Sequence, residues 1–155
     1  MTSAADTPPD ANIIEQRPGE KTGQAEFHFP NGDSYSGGYK IWPEEKIKSY
    51  GIMRHGSGTY TTQDGGQYSG DWVEDCLEGL VTIRYPDGSS FEGTLQDGHY
   101  SGPGKYRFPD GSYFEGSFVG SQVTGQGVWV DAEGQQWRGE FAADKALSLR
   151  FKHNL

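Results

Sequence analysis

Four histidines, one cysteine and a series of Asp-Gly dipeptides are the side chains of this sequence best suited to chemistry. His28, His55, His99 and His153 share no spacing that would set two imidazoles, or an imidazole and Cys76, around one metal ion. Cys76 has no histidine beside it in sequence to take its proton, so nothing activates it as a nucleophile. Asp64-Gly65, Asp87-Gly88 and Asp110-Gly111 each offer about one oxygen ligand, whereas a calcium loop gathers several within about a dozen residues. Gly102-Pro103-Gly104 and Gly125-Gln126-Gly127 stop at the second glycine. Neither G-x-G-x-x-G nor G-x-x-x-x-G-K-[ST] occurs, so no loop is built to cradle phosphate. The expectation is a protein that is not an enzyme and carries no metal and no cofactor.

Composition points to a surface rather than a pocket. At 155 residues the chain is about one domain. Hydrophobic residues make up only 32%, too few for a deep two-layer core, while aromatics reach 14% and there are 24 glycines. A thin sheet whose apolar area comes mainly from rings fits those proportions. The net charge of −9 argues against nucleic acid and against an anionic bilayer as default partners, since both require a basic footprint. A lone Cys76 cannot form an internal disulfide, nothing at the start resembles a signal peptide, and no run approaches the roughly 18 apolar residues of a membrane span. A cytoplasmic protein in a reducing compartment is expected.

The elements that would build this surface repeat every 23 residues. The copies are Tyr68-Ser-Gly70-Asp-Trp72, Phe91-Glu-Gly93-Thr-Leu95 and Phe114-Glu-Gly116-Ser-Phe118. A fourth start, Trp137-Arg-Gly139-Glu-Phe141, follows on the same spacing. Tyr35-Ser-Gly37-Gly-Tyr39 lies 33 residues before Tyr68, which implies an insertion at about residues 40–50. Within a unit, alternating segments flank Pro109-Asp110-Gly111 and its counterparts, which reads as a β-hairpin with a loop of about five residues. On that count Tyr106 faces Gly116, Gly104 faces Phe118, Tyr60 faces Gly70 and Trp129 faces Gly139. Val81 faces Leu95, and on the polar face Arg84 meets Glu92 and Arg107 meets Glu115. Each glycine would then be covered by the ring opposite it.

The pattern Y/F-x-G-x-W/F/L, a Gly-bearing link, then G-x-G and an aromatic strand ending in Asp-Gly resembles the MORN repeat over roughly residues 23–141. Ala25 and Val81 at glycine positions and Glu133 in the last turn depart from it. The tail from Trp137 onward is similar to the end of a small animal member of that family. The resemblance implies an all-β, solenoid-like single layer of stacked antiparallel β-hairpins with a shallow groove and no intrinsic catalysis. Residues 1–22 are expected to be a disordered tail, 23–141 the array, and 142–155 a C-terminal cap. Alternation of Leu147, Leu149 and Phe151 favours a strand in that cap, with a short helix from near Ala142 as the alternative. The insertion either covers the end of the stack or contacts a partner.

Two functions follow. One is a protein-binding scaffold whose groove holds a helix or extended segment, with contacts drawn from Tyr60, Trp72, Tyr85, Phe91, Tyr106, Phe108, Phe114 and Trp129. The resemblance implies motor, cytoskeletal or ciliary protein partners, in settings such as cilia, developing sperm or phagocytic vesicles. The other is a phosphoinositide- or membrane-binding adaptor in vesicle or acrosome processes. It is disfavoured because the thirteen basic residues are scattered and Glu44 and Glu45 interrupt the densest group, Lys40, Lys46 and Lys48.

Overall fold

In the computed structural model, residues 21–41 and 51–152 are described. Of the tail expected at residues 1–22 and the insertion expected at about 40–50, residues 1–20 and 42–50 lie outside them, while Lys21 and Thr22 lie in the first strand and Lys40 and Ile41 in the second. Eleven strands run in chain order: β1 (Lys21–His28), β2 (Ser34–Ile41), β3 (Ile52–Thr61), β4 (Gln67–Val73), β5 (Cys76–Arg84), β6 (Ser90–Gln96), β7 (His99–Arg107), β8 (Tyr113–Val119), β9 (Gln122–Val130), β10 (Gln136–Ala142) and β11 (Lys145–Phe151). Each pairs antiparallel with the next to form one open meander sheet, all-β and one layer thick. The C-terminal alternation forms a strand, β11, paired with β10, and not a helix.

The hairpin register differs from the sequence reading by two residues, and the turn explains why. Phe108 N–H donates to Ser112 C=O at 2.8 Å and Gly111 N–H to Phe108 C=O at 3.0 Å. The loop is therefore only Pro109-Asp110-Gly111, with Gly111 at φ 88°: a type I turn closed by a glycine bulge, not a five-residue loop. The same bonds close the turns at Phe29–Asp33, Thr62–Gly66, Tyr85–Ser89 and Asp131–Gln135. Tyr106 consequently faces Phe114 and Gly104 faces Gly116. Likewise Tyr60 faces Tyr68, Val81 faces Gly93, and Trp129 faces Trp137. The expected ion pairs move too. Arg84 meets Ser90, Thr82 meets Glu92, and Lys105 lies opposite Glu115 with Nζ 3.9 Å from its carboxylate. A slip of two leaves every side chain on its expected face, because the pleat repeats every two residues.

Rings thus face rings and glycines face glycines. One row of partners crosses the whole sheet: Phe27, Tyr35, Tyr60, Tyr68, Ile83, Phe91, Tyr106, Phe114, Trp129, Trp137 and Phe151. Two residues along each strand runs a second row, which is glycine in eight strands and Ala25, Val81 and Leu149 in the others. Tyr35, Phe91 and Phe114 each cover the glycine on their own strand and the glycine on the following strand, not the glycine across their own hairpin. A Cβ built on Gly116 would lie 2.7 Å from the Phe114 ring, and one on Gly127 2.5 Å from the same ring. Phe91 covers Gly93 and Gly104 in the same way, and Tyr35 covers Gly58. In the unit where Val81 stands in the glycine row, the nearest side-chain atoms over Gly70 belong to Val81 and Leu77.

The covering rings then meet a third row beyond the glycines. Phe91 stacks on Tyr100 at 3.7 Å between centroids, and Phe114 meets Phe118 at 5.6 Å and Phe141 at 4.8 Å. Tyr35 and Phe91 are 0% exposed and Phe114 3%, so this is the core. Between glycine row and third row the register shifts, as at Gly93/Thr94 and Gly116/Ser117. The first glycine of Gly102-x-Gly104 and Gly125-x-Gly127, and Gly79 in the unit that ends in Val81, supply the backbone for that bulge at φ 69°, 68° and 72°. The second glycine makes room for the ring.

Hairpins are joined by two-residue turns with both residues at positive φ: Glu74-Asp75, Asp97-Gly98, Gly120-Ser121 and Ala143-Asp144. These are the mirror-image turns that match strand twist. They also tie neighbouring hairpins together. Tyr100 N–H donates to Ser121 Oγ at 3.0 Å, and Val123 N–H to Asp144 Oδ1 at 2.9 Å.

Two predictions follow from rows and turns. Gly116→Val should lower stability by about 1–3 kcal/mol, because the branched side chain meets the Phe114 ring and the Gly127 backbone. Glu92→Ala on the exposed polar face should change it by under about 0.5 kcal/mol. Urea midpoints that coincide for the two variants would contradict the layering. The second concerns acid. Asp87 accepts from Ser89 Oγ at 2.6 Å and Ser89 N–H at 2.8 Å, and Asp110 does the same with Ser112. The serine hydroxyl first, and then the backbone N–H, holds each carboxyl below its ordinary value of 3.8. A depressed carboxyl contributes stability above its unfolded value, and that contribution is lost as pH falls through the folded one. Melting temperature should therefore drop as pH falls below about 3.8. Asp87→Ala/Asp110→Ala should lose less over that interval than the parent chain.

Candidate aromatic interaction face

The eight residues singled out from sequence separate into three groups. Trp72, Phe91 and Phe114 are buried in the layer just described and present almost no surface. Tyr85, Tyr106, Phe108 and Trp129 come together in the middle of the ring face. Phe108 lies 4.9 Å from Tyr106 and 5.3 Å from Trp129, ring centre to ring centre, and is 37% exposed. Its exposure follows from its place: it closes the Asp-Gly turn, one step beyond the strand, where the layer has no further row to cover it. The other three are half-buried.

Tyr100 completes this patch, and the sequence reading passed it over. Its hydroxyl hydrogen-bonds the Tyr85 hydroxyl, its ring lies 6.2 Å from Tyr106, and Tyr68 meets Tyr85 edge-on at 6.1 Å. The signal was present in the spacing, because Leu77, Tyr100, Val123 and Ala146 recur every 23 residues in the third row. Burial first of all pushes both the Tyr85 and Tyr100 hydroxyls above the ordinary tyrosine value. They remain neutral across the physiological range and act as hydrogen-bonding groups, not as acids or bases.

Tyr60 belongs to a second aromatic cluster nearer the N-terminus. With Phe27, Phe29, Tyr35 and Tyr39 it lines a cavity of about 400 Å³. Arg54 forms one wall, its guanidinium 4.3 Å from the Trp72 ring centre and 5.0 Å from that of Tyr60. Asp75 fixes it there. Oδ1 accepts from both the backbone N–H and Nε of Arg54 at 2.9 Å, and the Asp75 carbonyl accepts from a terminal guanidinium nitrogen at 3.2 Å. The Tyr60 hydroxyl donates to Asp33, and that bond, first among several, holds the Asp33 carboxyl below its ordinary value.

The groups that could do bond chemistry stand apart. Cys76 is exposed on β5. His28 pairs with Glu26 at 3.3 Å and His99 lies 3.4 Å from Ser121 Oγ. His55 Nδ1 is buried without a hydrogen-bond partner among the described residues, and His153 lies outside them. Among the described residues no three His, Cys, Asp or Glu side chains gather as a metal site. What the arrangement offers is ring edges and tyrosine hydroxyls held on a rigid sheet, which suits recognition.

Comparison with known proteins agrees. The MORN repeat family model matches residues 19–34, 51–67 and 91–113, so the repeat assignment is supported across three separate units. Such repeats form non-enzymatic scaffolds that generally bind proteins or membranes. No curated protein matches the chain. Among solved structures, the TCP domain of SAS-4 (dCPAP) of Drosophila melanogaster, in complex with a proline-rich motif of Ana2 (dSTIL), is similar at 16% identity. The match covers 90% of this chain and 86% of that one, with a TM-score of 0.38, too low to establish a shared fold.

The Arg54 clamp has a direct consequence. Asp75→Ala should cost about 1 kcal/mol, given that the ion pair is half-exposed, and should release the guanidinium from the Trp72 face. Asp71→Ala, exposed and without a hydrogen bond of this kind, should be nearly neutral. Urea titrations of the two variants, followed by tryptophan fluorescence, check this.

Proposed function

We propose that this chain is a non-enzymatic protein-binding scaffold whose ring face holds a helix or extended segment of a partner. The observation that carries this reading is the patch of Tyr85, Tyr100, Tyr106, Phe108 and Trp129. Its rings are contiguous, partly open to solvent, and rest on a packed layer that fixes them before binding. Rigid rings lose little conformational freedom on complex formation, which is why aromatic side chains dominate binding energy at interfaces. MORN repeats are the supporting context.

The partner class is a cytoskeletal, motor or ciliary protein, and the compartment is the cytoplasm, extending to cilia, flagella, sperm or phagocytic vesicles. The tail sequence from Trp137 onward supports that setting through its likeness to the small animal protein called MORN repeat-containing protein 2. The net charge of −9 favours an apolar or mildly basic segment over an anionic bilayer.

A pull-down from ciliated or testis tissue, followed by titration calorimetry on the captured partner, tests this. Phe108→Ala should weaken binding by about 1–3 kcal/mol while circular dichroism is unchanged. Glu92→Gln and Glu115→Gln should change affinity less and mainly its salt dependence. Binding that survives Phe108→Ala but is lost with the glutamate variants would move the partner to the polar face. Salt-sensitive flotation with anionic vesicles would favour the membrane reading instead.

A further inference from the structure

A separate surface lies at the C-terminal end of the sheet. β11 is last in the strand order, and among the described residues no strand lies on its outer side. Lys152 N–H donates to Gln136 C=O at 2.9 Å, so this residue directs its backbone at β10. In an antiparallel ladder that direction alternates residue by residue, which turns the N–H and C=O of Leu149 outward. Leu149 sits in the glycine row on the ring face and is 43% exposed. Leu147, beside it at the register irregularity, is 64% exposed.

The opposite face of the same two strands carries Arg138 directly across from Arg150. Neither guanidinium has an ion-pair partner among the described residues. Like charges directly opposite each other on a sheet destabilise it, and an anion beside both would relieve that cost. Residues 136–152 hold four basic and two acidic side chains, a local charge of +2 within a chain of −9. One strip of sheet therefore combines an outward-facing backbone at Leu149, exposed apolar side chains on one face and concentrated positive charge on the other.

The geometry points to strand addition at β11 by an extended segment of a partner protein that alternates apolar and acidic side chains. Its backbone continues the ladder, its apolar residues lie beside Leu149 and Leu147, and an acidic residue falls opposite Arg150. Pairing with a second copy through β11 is opposed by charge, because each copy brings Lys145, Arg150 and Lys152 to the same seam. This edge is independent of the ring patch, so either surface can fail without the other.

The probe is a fluorescent, acetylated nonapeptide alternating valine and glutamate, measured by anisotropy against the whole chain. The glutamate peptide should bind saturably, more weakly as sodium chloride is raised, and should protect the Leu149 amide from hydrogen exchange. Arg138→Ala/Arg150→Ala should weaken it about tenfold, whereas Phe108→Ala should leave it unchanged. A peptide with lysine in place of glutamate should not bind. Equal binding of the two peptides, indifference to the arginine substitutions, or protection confined to the ring patch would overturn the proposal. So would a stable dimer in light scattering that the peptide fails to dissociate.

Discussion

A sheet one layer thick has nothing on top of it, so it can bury an aromatic ring only by laying that ring down along its own strand. That requires the next residue on the same face to have no side chain. The contact of Phe114 with Gly116 and Gly127, and of Phe91 with Gly93 and Gly104, is this solution in its simplest form. Burying one such ring is worth about 1.5–3 kcal/mol. The layer forms at Tyr35, Phe91 and Phe114, and over Gly70 Val81 and Leu77 take the place of the ring, which is how a chain with 32% hydrophobic residues sustains eleven strands. The ring's role varies along the row. Tyr35, Phe91 and Phe114 on second strands lie over glycines and are buried, while Tyr68 and Trp137 on other second strands stay half-open like Tyr60, Tyr106 and Trp129 on the first strands.

The rest of the architecture serves that layer. The bulge at Gly102 or Gly125 shifts the register just past the covered glycines and brings the third row, with Tyr100, Phe118 and Phe141, against the rings. The two-residue turns return the chain without splaying the strands, and Ser121 and Asp144 bind the backbone of the preceding hairpin link. Stability in such an array is a sum over neighbours, with no central cavity to hold a reaction. Its open resources are faces and edges. A patch of rings near Phe108 and a basic, apolar edge at β11 are therefore the places to look for partners.

Much of this was legible in the sequence, and the error was local. The 23-residue spacing and the alternation of rings with glycines determine which residues share a face, and a pleat of period two protects that inference from an even slip. Partner identities needed the loop length, and the loop was taken as about five residues, with Tyr106 facing Gly116, because alternation fixes which residues share a face but not which of them pair. Burial separated Phe91 and Phe114 from Phe108, although all three are phenylalanines beside turns or glycines. No property of the side chains alone distinguishes a ring lying over glycine from one beyond the last row. The hairpin links were under-read as well. Glu74-Asp75 and Ala143-Asp144 lack the glycine that usually marks a positive-φ turn, though they recur with Asp97-Gly98 and Gly120-Ser121 on the same period.

The ring-on-glycine layer can be observed without altering a residue. Protons held above an aromatic face are shielded, so proton NMR assigns the layer directly from glycine Hα shifts. Gly93, Gly104, Gly116 and Gly127 should resonate well upfield of ordinary glycines, because Phe91 and Phe114 cover them. Gly102 and Gly125, in the bulges with open space where a Cβ would stand, should not. If all six glycines resonate together at unshifted positions, the rings do not lie along their strands and the account of the core is wrong.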